Sequence, residues 1–170
     1  MTTSAKDHLL DWLRDAHAME EQAEHMLRSQ SSRLEHYPQL KARIDQHIEE
    51  TREQQRMVKS CIDRLGGSTS AIKDMAARIT AFGQGLSGMF VSDEVVKGSM
   101  AGYVFEHMEI AAYTTLRAAA QHCGDTETVR VCDAILPQER AMAEWLSQHL
   151  PEVTQAFLTR AQTPGLEAKR

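Results

Sequence analysis

Proline and glycine set the outline of this chain. Only four prolines and nine glycines occur in 170 residues, and they cluster. Both residues interrupt helices, so long stretches without them are where helices can run. Residues 4 to 34 contain neither. Pro38 suits the first turn of a second helix, which runs to Leu65 and stops at Gly66-Gly67. Residues 66 to 91 are rich in Gly and Ser around a short amphipathic piece, Ala71 to Ala81. Ser92-Asp93-Glu94 reads as an N-cap with acids in the first turn of a third helix, and Gly124 as its C-cap. Asp125 caps a fourth helix that runs to about Leu150 with Pro137 inside it, and Pro151 opens a short C-terminal helix. The tail from Thr163 to Arg170 reads as flexible.

Between these breaks the chain is rich in helix formers, and aromatic residues make up only 5%, which argues against a β-rich fold. With 42% hydrophobic and 25% charged residues, disorder is excluded, and residues 1–162 are expected to form one domain. The first and third connections are short, which gives two antiparallel hairpins. The second, about 26 residues, is long enough to cross the length of a bundle. The expected fold is therefore all-α: a four-helix bundle of two hairpins joined by one long crossover, the ferritin-like arrangement, with short extra helices. A net charge of -5 argues against a nucleic-acid partner. No apolar run approaches the ~20 residues of a membrane span, and the N-terminus lacks the form of a secretory signal. Three cysteines without metal spacing read as reduced thiols, so a cytoplasmic protein without a membrane partner is expected.

The informative residues are glutamates on the wrong face. In the first helix Leu9, Leu13, Ala16, Ala23 and Leu27 form one apolar stripe, and Glu20 lies within about 60° of each at 100° per residue. The second helix repeats the pattern with Leu40, Ile44, Val58, Cys61 and Leu65, but His47, Thr51 and Gln54 fill the centre. Glu50 sits about 60° off His47, whereas Glu53 and Glu49 point outward. On the third helix Val95, Ser99, Tyr103, Ile110 and Tyr113 mark the stripe, with Glu106 central and Glu109 about 60° aside. On the fourth, Cys132, Ile135, Ala143, Leu146 and Leu150 surround Glu139. Buried glutamate is rare without a partner, and several together either take up protons or bind cations. A repeat strengthens the pattern: an offset of 89 residues separates Glu20 from Glu109 and Glu50 from Glu139. Such a duplicated hairpin makes a pseudo-two-fold site, which suits two ions bridged by carboxylates.

The stretches Asp11-Trp12-Leu13-Arg14-Asp15-Ala16-His17-Ala18-Met19-Glu20, His47-Ile48-Glu49-Glu50-Thr51 and Tyr103-Val104-Phe105-Glu106-His107-Met108-Glu109-Ile110-Ala111 resemble the small bacterial family of YciE and YciF, within the ferritin-like superfamily. The resemblance implies a di-metal carboxylate bundle of the bacterial cytosol, associated with stress response and without a settled reaction. The superfamily pattern of a Glu from one helix and Glu-x-x-His from the next, twice, matches Glu20 and Glu109 as single ligands, and Glu50 and Glu139 as the Glu of each pair. Three residues later stand Glu53 and Met142 instead of His. His47 is either the missing nitrogen ligand or a donor to Glu50, and Glu106 resembles the extra carboxylate of rubrerythrin-like proteins. The candidate metal ligands are thus Glu20, His47, Glu50, Glu106, Glu109 and Glu139, a hard set suited to two iron or manganese ions.

Two functions follow from different classes. One is a redox enzyme that oxidises Fe(II) or removes peroxide, with O2 or peroxide as the small-molecule substrate. The other is a non-catalytic metal-binding or structural stress protein. A third, plainer reading keeps the glutamates protonated inside an interaction module. Apolar crossover residues such as Ile72, Met75 and Phe82 are available to cover the bundle or to make a homodimer contact.

Overall fold

The computed structural model describes residues 4–67 and 92–168. Within them the secondary structure is four helices: α1 (Ala5–Ser31), α2 (Pro38–Arg64), α3 (Glu94–Cys123) and α4 (Thr126–Gln162). The short amphipathic piece expected at residues 71–81 lies outside the described residues. No helix among them is long and apolar enough to cross a membrane.

Local chemistry explains most boundaries. Ser4 and Asp7 close a reciprocal capping box at the start of α1, the Ser4 N–H donating to Asp7 over 2.8 Å and the Asp7 N–H to Ser4 Oγ over 3.2 Å. Pro38 takes the first turn of α2, where its missing N–H costs nothing. Gly124 ends α3 at φ 71°, a left-handed position that glycine fills without strain. Asp125 then caps α4, accepting from the Thr128 N–H.

Two boundaries differ from expectation. Asp93 precedes α3 without a side-chain cap, because its carboxylate pairs with Lys97 at 3.1 Å. There is also no separate C-terminal helix, since α4 continues through both Pro137 and Pro151. Both prolines are exposed, as are Asp133 and Ser147, four residues before them. The carbonyls deprived of a helix partner thus belong to residues that water can reach. Beyond Pro151, Val153 is buried and Phe157 packs on the core, which holds the last turns in place.

Helix α1 packs on α2 and α3, and α4 packs on α2 and α3. Ion pairs fix the directions. Arg33, just after α1, clamps Glu94 at the start of α3 at 2.6 Å, while Arg64 at the end of α2 holds Asp125 at the start of α4 at 2.6 Å. Each helix therefore runs antiparallel to both neighbours, and the end of α2 and the start of α3 lie at opposite ends of the bundle. The Tyr37 hydroxyl donates to the Ala168 carbonyl at 2.6 Å, tying the C-terminal segment to the α1–α2 loop.

The core is divided. One apolar half gathers Leu9, Leu13, Val58, Ile62, Leu116 and Ile135 with their neighbours. The other gathers Leu27, Leu40, Ile44, Val95, Met142 and Leu146. The buried face of α3 is turned from the expected stripe: Tyr103 and Ile110 are half-buried, whereas Ala101, Phe105 and Glu109 are buried. Set among these apolar residues on the four helices are the polar residues Glu20, His47, Thr51, Gln54, Glu106, Glu109 and Glu139, all buried.

Candidate metal centre

Every helix contributes to this polar layer. Position 20 on α1 and position 139 on α4 sit at stripe centres, so the periodicity that buries their leucine neighbours buries them too. Both are fully buried. On α2 His47, Thr51 and Gln54 are turned inward, and on α3 Glu106 and Glu109. His47, Glu106, Glu109 and Glu139 each place one donor atom within 4.8 Å of the others. His47 Nε2 stands 3.2 Å from Glu106 Oε2 and 3.6 Å from Glu139 Oε2. Glu20 lies outside that set of four, yet near enough for its charge to oppose those of Glu139 and Glu106. Glu53, which stands where the superfamily pattern has His, is exposed and paired with Arg56.

Glu50 faces the other way. Its side chain is 20% exposed, and Oε2 meets the outer ring nitrogen of His47, Nδ1, at 2.7 Å. Gln46 donates to Glu50 over 2.8 Å and Arg43 over 3.3 Å. A carboxylate accepting from Nδ1–H leaves the Nε2 lone pair directed at the centre, the arrangement that orients metal-bound imidazoles. Burial works against the charge on Glu50, but the hydrogen bond with His47 and the Arg43 guanidinium outweigh it and bring its pKa down to about 2. Glu50 is thereby held as an anion, and the 89-residue repeat does not extend to the surroundings of Glu50 and Glu139. Its partner Glu139 stands in the centre, while Glu50 supports His47 from outside.

Two contacts were only partly legible in the sequence. The Tyr113 hydroxyl donates to Glu20 Oε1, and the Gln54 amide donates to Glu139 Oε1 and, at 2.9 Å, to Gln138. The signal for Gln54 was a polar residue at a stripe centre beside His47 and Thr51. Thr51 itself turns back onto the His47 carbonyl at 2.9 Å and stays out of the centre.

The electrostatics are those of carboxylates deprived of water. Burial, then the charge of Glu139, pushes the Glu20 carboxyl well above the usual range, against the pull of the Tyr113 hydrogen bond. Burial, then Glu139 and Glu20, does the same to Glu109. Burial lifts Glu106 to about 7, against the opposing charge of His47. For His47, burial disfavours the charge, yet the carboxylates around it, Glu106 foremost, raise its pKa well above 6.5. Without a cation the centre therefore holds protons, on the imidazole and among the carboxyls.

Protons leave the layer's hydrogen-bonding capacity unfilled. Glu20 Oε2, His47 Nε2, Gln54 Oε1, Glu106 Oε2, both oxygens of Glu109 and Glu139 Oε2 are buried without a hydrogen-bond partner. Native interiors leave few such atoms, and each costs about 1–3 kcal/mol. A concentration of them in one layer, all but the imidazole nitrogen being oxygens, has the donor chemistry of a site for a hard or borderline cation. On this ground the residues fit a metal centre.

Comparison with known proteins agrees on the architecture and leaves the chemistry open. The family model described as Domain of unknown function (DUF892) matches residues 4–159. Among solved structures, a protein from Xanthomonas campestris pv. campestris is similar at 43% identity, covering 94% of this chain and 99% of that one, with a TM-score of 0.80. YcfI from Rhodopseudomonas palustris, suggested to be a structural protein, is similar at 25% identity, covering 85% of this chain and 93% of its own, with a TM-score of 0.68.

Proposed function

Because the chain belongs to the DUF892 family, whose description carries no activity, we propose its function from the site itself. It is a metal-binding bundle of ferritin-like topology whose centre takes two iron or manganese ions. The observation that carries this reading is the convergence of unpartnered donor atoms from all four helices in one buried layer. Glu20, His47, Glu106, Glu109 and Glu139 would hold the ions, and Glu50 would fix the imidazole. The hard, carboxylate-rich donor set favours iron or manganese over copper or zinc. Bound iron or manganese would supply one-electron chemistry, and peroxide or O2 is the matching substrate class.

The chain's own residues have defined parts in this. Glu50 accepts from Nδ1–H of His47 and so keeps Nε2 unprotonated once a cation displaces the second proton. Tyr113 and Gln54 each hold one oxygen of a carboxylate. The two apolar halves exclude bulk water from the layer. The resemblance to the YciE and YciF proteins supports a place in bacterial stress response, in the cytosol. A second, non-catalytic reading is favoured by the sealing of the centre: Glu20, His47, Glu106, Glu109 and Glu139 are each 2% exposed or less, a setting that suits retention of an ion better than turnover.

The test starts from chelator-stripped protein titrated anaerobically with Fe(II) and with Mn(II) by calorimetry, followed by addition of peroxide. Saturable binding with peroxide loss far beyond the amount of bound metal supports the redox enzyme. Saturable binding without peroxide loss selects the non-catalytic protein. Rejection of both metals would sink the proposal.

A further inference from the structure

The carboxylates of the centre are not equivalent, and the difference lies in which oxygens are already engaged. Glu20 gives Oε1 to the Tyr113 hydroxyl and keeps Oε2 without a partner. Glu139 gives Oε1 to the Gln54 amide and keeps Oε2 without a partner. Glu109 alone among the centre's carboxylates has both oxygens buried and unpartnered. It belongs to the four-donor set and, like Glu106 and Glu139, is near enough to Glu20, outside that set, for the two charges to oppose each other. The sequence pattern points elsewhere. Its two-fold repeat makes Glu50 and Glu139 the paired carboxylates, but Glu50 is engaged by His47, Arg43 and Gln46.

We propose that Glu109 is the shared ligand of the centre, one oxygen directed to an ion held with His47, Glu106 and Glu139 and the other to an ion held with Glu20. Tyr113 and Gln54 are positioning residues that restrict Glu20 and Glu139 to one oxygen each. The proposal rests on the reading of this layer as a two-ion site. The physical reason is competition for lone pairs. A carboxylate oxygen that accepts a buried hydrogen bond gives up about 1–3 kcal/mol if it leaves an unpaired donor behind. Glu20 and Glu139 therefore resist using their Oε1 atoms, whereas Glu109 can use both oxygens without that loss.

The experiment loads the chelator-stripped full chain with Mn(II) and reads two quantities, Mn per chain by elemental analysis and the electron paramagnetic resonance spectrum. Two close Mn(II) ions couple magnetically, and an isolated ion shows its own hyperfine pattern. The wild type should bind two ions with a coupled spectrum. Glu109→Gln keeps the size of the side chain and removes its charge, so its fold, checked by circular dichroism and thermal melting, should persist. It should hold one Mn at most, with the isolated-ion pattern. Glu20→Gln should lose only the second ion. Tyr113→Phe should keep two ions but change their coupling, because it frees the second oxygen of Glu20, and a merely structural role for the phenol would leave the coupling unaltered. Retention of two coupled ions in Glu109→Gln would overturn the assignment. A wild type that binds one ion would overturn it as well while leaving the centre a metal site, and a wild type that binds none would remove both.

Discussion

Removing cations and raising the pH should weaken the fold, and Glu106 sets the scale. Its carboxyl moves from 4.5 to about 7 on folding, a shift of about 2.5 pH units, worth about 3 kcal/mol at ~1.4 kcal/mol per unit. Between those two values the unfolded chain has released the proton and the folded chain has kept it. Unfolding then sheds a proton, and stability falls as pH rises. Glu20 and Glu109, also raised by burial, act in the same direction. So does His47 above pH 6.5, because the fold retains its proton. His17, whose pKa burial lowers, opposes them over a window below 6.5. Carboxylates with lowered pKa values, such as Glu50, Asp45 and Asp125, contribute stability that is lost only as pH falls below the usual carboxylate range. A loss of about 3 kcal/mol is a large part of the 5–15 kcal/mol typical of a domain, and amounts to about 6–12 °C in melting temperature at this size. Urea melts of chelator-stripped protein at pH 5, 6, 7 and 8 measure it. Repeating them with Mn(II) at a hundred times its dissociation constant should restore about 2.7 kcal/mol. A stripped protein whose stability stays level or rises from pH 5 to 8 would refute the account of a protonated, water-deprived carboxylate layer.

Other substitutions separate the parts of the centre. Glu50→Gln removes the anion that orients His47 and should weaken Mn(II) binding about 10–100-fold by calorimetry, with little change in the helical spectrum. Gln54→Leu takes the donor from Glu139 and Gln138 and should cost the stripped protein about 1–3 kcal/mol in urea melts. Leu13→Ala, at a fully buried site in the apolar half next to the layer, should cost about 2–5 kcal/mol and leave the metal content per chain unchanged.

The sequence carried the parts of this structure that depend on periodicity within one helix. Glu20 and Glu139 could be placed in the interior because 100° per residue puts them among Leu9, Leu13, Ile135 and Leu146. The breaks at Pro38 and Gly124 mark helix ends because their local chemistry has few alternatives. Pro151 misled because a proline stops a helix only when the freed carbonyl has no other partner, and solvent on the outer face supplies one. Rotation of a helix against its neighbours is not written in its own stripe, so the turn of α3 toward Phe105 and Glu109 became visible only in the packed bundle. The engaged oxygens of Glu20 and Glu139 depend on partners 93 and 85 residues away. Glu50 was legible as a flank residue, but its attachment to the outer nitrogen of His47 required the position of the ring and of the Arg43 guanidinium.

Diffraction at the manganese absorption edge from crystals of Mn(II)-loaded protein tests the central claim most directly. Anomalous density is expected inside the bundle, within bonding distance of His47 Nε2 and the oxygens of Glu106, Glu109 and Glu139, with a second peak between Glu109 and Glu20. A map with no anomalous density in that layer, or with manganese only at surface carboxylates, would contradict it.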